Sequence, residues 1–200
     1  MGDSYSTYKG FVPEGYHFYY WTGRTEKPVI NGVEKTWWKM LESENNAKIV
    51  RNDSYSGSTI CNTVRESHTL DSSFVNRIDK YVSEGFFLKN HVDSFLIFGG
   101  TNDSWINSPV GECKYSDWTE EDLKSVLPAF GYLLSKAKSV CDNVTVIINT
   151  GLKPEIVSGF TDACERFNVK YALLKDIDKQ NGHPTEAGMR QITDQVCAII

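Results

Sequence analysis

Four short runs of β-branched and aromatic residues, Lys48 to Arg51, Ser94 to Phe98, Val144 to Asn149 and Lys170 to Leu174, alternate along the chain with stretches patterned as helices. Each run is continuous enough to be a strand buried on both faces. Trp37, Trp38 and Leu41 suggest a helix before the first run, and Phe74, Val75, Ile78 and Val82 recur at helical spacing after it. Leu123, Val126, Leu127, Phe130 and Leu134 form a further stripe that opens near Thr119 and is expected to bend at Pro128. Ile156, Phe160, Ala163, Cys164 and Phe167 follow Pro154, which suits a first helical turn, and Met189, Ile192, Val196 and Ile199 form the last stripe. Alternation of strand and helix predicts an α/β fold, a parallel sheet with helices on both faces. No Pro, Gly or Ser-rich linker divides the pattern, so residues 1–200 read as one domain.

Composition narrows the function. Twenty-one basic against 26 acidic residues give a net charge of -5, with no Lys and Arg cluster to follow a phosphate backbone, which argues against nucleic acid as a partner. The longest apolar stretches, around Phe95 to Phe98 and Val144 to Ile148, fall far short of the ~20 residues that cross a bilayer, so membrane insertion is not expected. Cys61, Cys113, Cys141, Cys164 and Cys197 are widely spaced and lack metal-ligand spacing; they read as mostly reduced and buried. No charged segment followed by an apolar one opens the chain, which favours the cytoplasm unless a secretory segment was removed upstream.

In parallel sheets the working residues gather in loops at the carboxyl ends of strands. Here Asn52-Asp53-Ser54-Tyr55-Ser56-Gly57 follows the first run, Gly99-Gly100-Thr101-Asn102-Asp103 the second and, at a longer gap, Gly182-His183-Pro184 the fourth. A serine nucleophile needs a base for its proton and donors aimed at the oxyanion that forms on the attacked carbonyl. Gly2-Asp3-Ser4, Gly57, Asn102 and His183 occur in an order that resembles the SGNH (GDSL) hydrolase family, over residues 2 to 184.

That resemblance implies a three-layer α/β/α sandwich with a mostly parallel, flavodoxin-like sheet and the activity of a serine esterase. It implies Ser4 as nucleophile and His183 as base, with the Ser4 and Gly57 N–H groups and the Asn102 amide as oxyanion donors. No metal or organic cofactor is called for, since this chemistry supplies its own nucleophile and electrostatics. Tyr5 and Trp105 are candidate substrate contacts. They belong to an aromatic set, dense between Tyr5 and Trp21, that suits sugar rings and leads us to expect a small acyl ester, acetyl above all, on a carbohydrate. Lysophospholipase or thioesterase activity and a non-catalytic carbohydrate-binding role are the alternatives; the sequence does not address oligomeric state.

The chain departs from the family pattern in three places. The family places an aspartate three residues before the histidine, and here that position is Gln180. Asp178 is the candidate acid, with Asp176 or a dyad supported by a backbone carbonyl or Gln180 as alternatives. The GDS block follows the first, central strand in the family, yet one residue precedes Gly2, so that strand is expected to be missing or truncated. Finally, Asp53-Ser54-Tyr55-Ser56 repeats Asp3-Ser4-Tyr5-Ser6, which makes Ser54 a rival nucleophile that the order of the blocks disfavours. His17, His68 and His91 match no family block and read as ordinary surface or loop residues.

Overall fold

The computed structural model describes residues 1–200. Three of the four runs are strands: β1 (Phe95–Gly99), β2 (Val144–Ile148) and β3 (Lys170–Leu173) form a parallel sheet in that order. Phe95 lies opposite Val144, and Thr145 opposite Lys170. Beyond β1, Gly2 bridges in parallel to both Phe98 and Ser54. The slot expected to lack a strand is therefore held by Met1 to Asp3: the Phe98 N–H donates to Met1 O at 3.1 Å and the Asp3 N–H to Phe98 O at 3.2 Å. On the other side Gly2 N–H reaches Asp53 O and Tyr55 N–H reaches Gly2 O, each at 3.0 Å. The spatial order is thus the Ser54 segment, Met1 to Asp3, β1, β2 and β3, the doubly wound order whose switch point lies between the first segment of the chain and β1.

Lys48 to Arg51 is corrected, since it forms no strand. Val50 and Arg51 are exposed, and the chain joins the sheet only where Gly2 offers its N–H and C=O, at Asp53 to Tyr55.

The helices are α1 (Trp37–Glu44), α2 (Phe74–Ser83), α3 (Phe86–Lys89), α4 (Thr101–Trp105), α5 (Val126–Val140), α6 (Pro154–Arg166) and α7 (Glu186–Cys197). Side chains alternate across each strand, and the two faces bury separate cores. Phe95 and Ile97 of β1, with Val144, Val146 and Ile148 of β2, pack against α2, α5 and α6. Phe98, Ile147 and Ala172 on the opposite face pack against Trp37, Trp38 and Leu41 of α1 and Met189, Ile192 and Val196 of α7. This is the expected α/β/α sandwich.

Pro128, expected to bend its helix, lies instead in the first turn, where a proline needs no bend. It is the third residue of α5, where the N–H it lacks would have no intrahelical acceptor anyway. A separate 3-10 turn, Asp122–Lys124, accounts for the acidic stretch near Thr119. All five cysteines are free; Cys61, Cys141 and Cys164 are buried, whereas Cys113 is exposed. No helix is long and apolar enough to cross a membrane.

Candidate active site

The chain leaves the sheet at Asp3 and turns at once into a 3-10 helix, Ser4–Ser6, which Asp3 caps by accepting the Tyr5 N–H on Oδ1 at 3.0 Å. Ser4 therefore sits just past the carboxyl end of the central segment, at the switch point. His183 reaches it from the other end of the chain. A two-residue hairpin, β4 (Lys179–Gln180) paired antiparallel with β5 (His183–Pro184), presents the ring, and His183 Nε2 lies 3.0 Å from Ser4 Oγ. Both residues are buried.

The partner of the other ring nitrogen fixes the tautomer. His183 Nδ1 lies 3.2 Å from the carbonyl oxygen of Asn181. A carbonyl can only accept, so the neutral ring carries its proton on Nδ1 and turns the lone pair of Nε2 toward the serine. The acid assignment to Asp178 is corrected by this geometry. The Asp178 carboxylate accepts from the Thr185 hydroxyl, its carbonyl accepts the Thr185 N–H at 3.1 Å, and its N–H donates to Gln191 Oε1 at 2.7 Å. It organises the start of α7. Asp176 and Gln180 are exposed, and neither side chain hydrogen-bonds the ring. Asp178→Asn should accordingly leave kcat/KM within about twofold of wild type, against the ~10⁴-fold loss when an aspartate that orients the base is neutralised. Steady-state hydrolysis of p-nitrophenyl acetate by the two proteins decides it.

No carboxylate compensates a charge on His183. Burial is the main force that takes its pKa down to about 4, and the positive charges of Arg24, Lys179 and Arg65 act in the same direction, opposed by the Asn181 carbonyl. Aromatic rings build the walls. Tyr19 stacks on the imidazole with centroids 3.5 Å apart and planes at 5°, while Trp105 meets it edge-on at 5.5 Å. Arg24 lies 4.2 Å above the far face of the Tyr19 arrangement and spends its donors on Tyr19 O and on Glu26.

The oxyanion candidates have donors to spare. The Ser4 and Gly57 N–H groups make no hydrogen bond within the protein. Asn102, buried in α4, gives one amide proton to Ser58 O at 2.9 Å and retains the other. Gly57 has φ +87°, and a Cβ there would stand 2.6 Å from His68 Nε2, so a side chain is doubly disfavoured. The loop that carries Gly57 is fixed from below by Asp103, whose carboxylate accepts the N–H groups of Ile60 and Cys61.

Two assignments change. Tyr5 is no substrate contact, because it is buried and its hydroxyl donates to the Gly182 carbonyl beneath the histidine loop. Ser54 is no rival nucleophile: its hydroxyl donates to Asn52 Oδ1 at 2.6 Å, away from any imidazole. Trp105 is 44% exposed beside the histidine and remains available to a ligand. His17 and His68 stand closer to the chemistry than expected, packed against Tyr55 on the Gly57 side.

Sequence reasoning missed the group under the histidine loop. Lys179 Nζ donates to Asn149 Oδ1 at 3.0 Å and to Thr150 O and Oγ1 at 3.1 and 2.6 Å, and Asn149 Nδ2 donates to Thr101 Oγ1 at 2.8 Å. Burial lowers the Lys179 pKa to about 8 and raises that of Asp3 to about 7. The signal was available, since Asn149 ends the third run and Thr150 follows it, on the same sheet edge as the other loops. No three His, Cys, Asp or Glu residues converge in a way that could hold a metal ion.

A nucleophile turn at the switch point, a histidine before the last helix and donors from two intervening loops define an ester-bond hydrolase. The chain belongs to the GDSL-like lipase/acylhydrolase family, whose model matches residues 1–200. It is similar to a solved protein described as a GDSL-like lipase from Bacteroides ovatus ATCC 8483, at 36% identity and TM-score 0.89, covering 98% of this chain and 93% of that one. A second, from Bacteroides uniformis ATCC 8492, shares 38% identity at TM-score 0.89 over 98% and 91% of the two chains. The fold alone is shared with a carbohydrate esterase at 14% identity and TM-score 0.58, covering 98% of this chain and 65% of that one. No curated protein matches the sequence.

Proposed function

We propose that this hydrolase cleaves a small acyl ester, an acetyl group on a carbohydrate, through an acyl-enzyme on Ser4. The observation that carries the reading is the 3.0 Å contact between Ser4 Oγ and the unprotonated Nε2 of His183. Ser4 Oγ attacks the ester carbonyl while its proton passes to Nε2, and the resulting oxyanion takes hydrogen bonds from the Ser4 and Gly57 N–H groups and the Asn102 amide. Collapse of the intermediate expels the alcohol, which takes the proton from His183. Water, deprotonated by the same nitrogen, then attacks the acyl-enzyme, and acetate leaves as Ser4 recovers its proton.

The imidazolium in this scheme is held by the Asn181 carbonyl alone, so Ser4 and His183 work as a dyad. A carbonyl dipole orients the ring without neutralising it. Support for a carbohydrate comes from Trp105, a half-exposed indole beside the reactive pair that offers a sugar an aromatic surface. The carbohydrate esterase that shares the fold is in keeping with that choice.

The pH dependence follows from the buried histidine. The base form is the active one, and its pKa is about 4, so kcat/KM should stay on its plateau as pH falls through 6.5 and decline only near pH 4. An acid limb at the ordinary imidazole value of about 6.5 would contradict the environment described for the ring.

The direct test is a fluorophosphonate probe followed by peptide mapping. Label on the Ser4 peptide is the expected result. Folded protein that takes no label would remove the esterase reading and leave a carbohydrate-binding role.

A further inference from the structure

Arg65 is the one cation around the reactive pair that no protein group accounts for. Arg24 is sealed by Tyr19 O and Glu26, and Lys179 gives its ammonium protons to Asn149 and Thr150. Arg65 makes neither an ion pair nor a side-chain hydrogen bond, although its Nε is shielded from solvent. Its two Nη groups are not shielded and donate to no protein group, so they are the donors that a ligand can reach.

Its position gives that ligand an address. A Cβ built on Gly57 would stand 3.6 Å from Arg65 Cδ, so the arginine stem borders the oxyanion loop. The Arg65 carbonyl accepts the N–H of His68, whose ring packs on Tyr55 and His17. A flat aromatic wall and a guanidinium with free donors thus stand together on the Gly57 side of Ser4. Arg65 is close enough to the reactive pair for its charge to act on the His183 ring.

We propose that Arg65 is a specificity-determining residue that receives an oxyanion substituent, a carboxylate or a phosphate, carried by the sugar whose ester Ser4 attacks. The inference rests on the esterase reading and names its substrate class as acidic sugars. The planar guanidinium fork suits either oxyanion, with two parallel N–H···O bonds.

The test compares three acetylated substrates: a methyl glucuronoside, the corresponding neutral methyl glucoside, and that glucoside bearing a 6-phosphate. Wild-type kcat/KM should favour at least one charged substrate over the neutral one by about tenfold, mainly through KM, and the preferred charged arm identifies the group received. In Arg65→Gln the charged-to-neutral ratio should fall to about one, and Arg65→Lys should restore part of it. A purely structural role for Arg65 would lower all three rates together and leave the ratio intact, which would overturn the proposal. A wild-type ratio near one would overturn it without any variant. Inactivity of the wild type on all three and on p-nitrophenyl acetate would remove the esterase reading itself, whereas turnover of p-nitrophenyl acetate with no preference for charge would sink only the proposal about Arg65.

Discussion

Ser4→Ala should lose at least about 10³-fold in kcat/KM for p-nitrophenyl acetate, because a nucleophile that acts as a unit with its base cannot be replaced by either part alone. The residual rate would come from the oxyanion donors, which do not depend on the hydroxyl. Ser54→Ala provides the comparison, since it removes the same atom from the second copy of the tetrapeptide. Ser54 Oγ touches Asn52 rather than an imidazole, so that variant should stay within a few-fold of wild type at a cost of about 1 kcal/mol of stability. Equal losses in the two variants would refute the placement of the nucleophile. Folding is not at issue in Ser4→Ala, as the cap on the Ser4 turn comes from Asp3.

The second large effect lies beneath the site. Arg77, fully buried in α2, donates through Nη1 to Asp53 O and Asp53 Oδ2 at 2.6 and 2.7 Å, and through Nη2 to Gly2 O and Ser58 Oγ at 3.2 Å. Its Nε donates to Ser72 O at 3.0 Å. One side chain therefore ties the central segment to the Ser54 segment and to the loop that carries Gly57. Arg77→Ala would leave the buried Asp53 carboxylate with Tyr81 as its remaining donor and take a hydrogen bond from four further oxygens, Asp53 O, Gly2 O, Ser58 Oγ and Ser72 O. Removing one member of such a buried pair costs about 3–5 kcal/mol. For a chain of this length that lowers Tm by roughly 6–20 °C, measurable by differential scanning calorimetry. A shift under about 2 °C would mean that the network is solvated or replaceable.

The family blocks were legible because each uses a residue type with one dominant reason to stand at a strand end. β1 and β2 were legible because they are apolar on both faces, whereas β3, the edge strand, exposes Lys170 and Leu173 and is not buried on both faces as expected. Lys48 to Arg51 misled for a definite reason: its β-branched pair, Ile49 and Val50, suggested pairing, but a segment pairs only where a neighbour offers backbone groups, and Gly2 does so at Asp53 to Tyr55. Asp178 misled because spacing says nothing about which way a hairpin turns its side chains. Once Gln180 pairs with His183 across β4 and β5, Asp178 falls opposite Thr185 rather than beside the ring. Tyr5 misled in the same manner, since exposure in an aromatic-rich segment cannot be read from composition. Arg65 left no sequence signal at all; its interest lies in the acceptors it lacks, which only coordinates reveal.

The serine and the histidine stand 179 positions apart, the one at the opening of the chain and the other ahead of its last helix. During synthesis the nucleophile emerges 179 residues ahead of the base, so the serine stays inert until His183 has followed it and β5 has docked. The same separation makes hydrolysis a reporter of the docked last helix: a chain cut before His183 loses its base together with the Met189, Ile192 and Val196 side of one core. Activity per molecule, in this architecture, counts complete molecules.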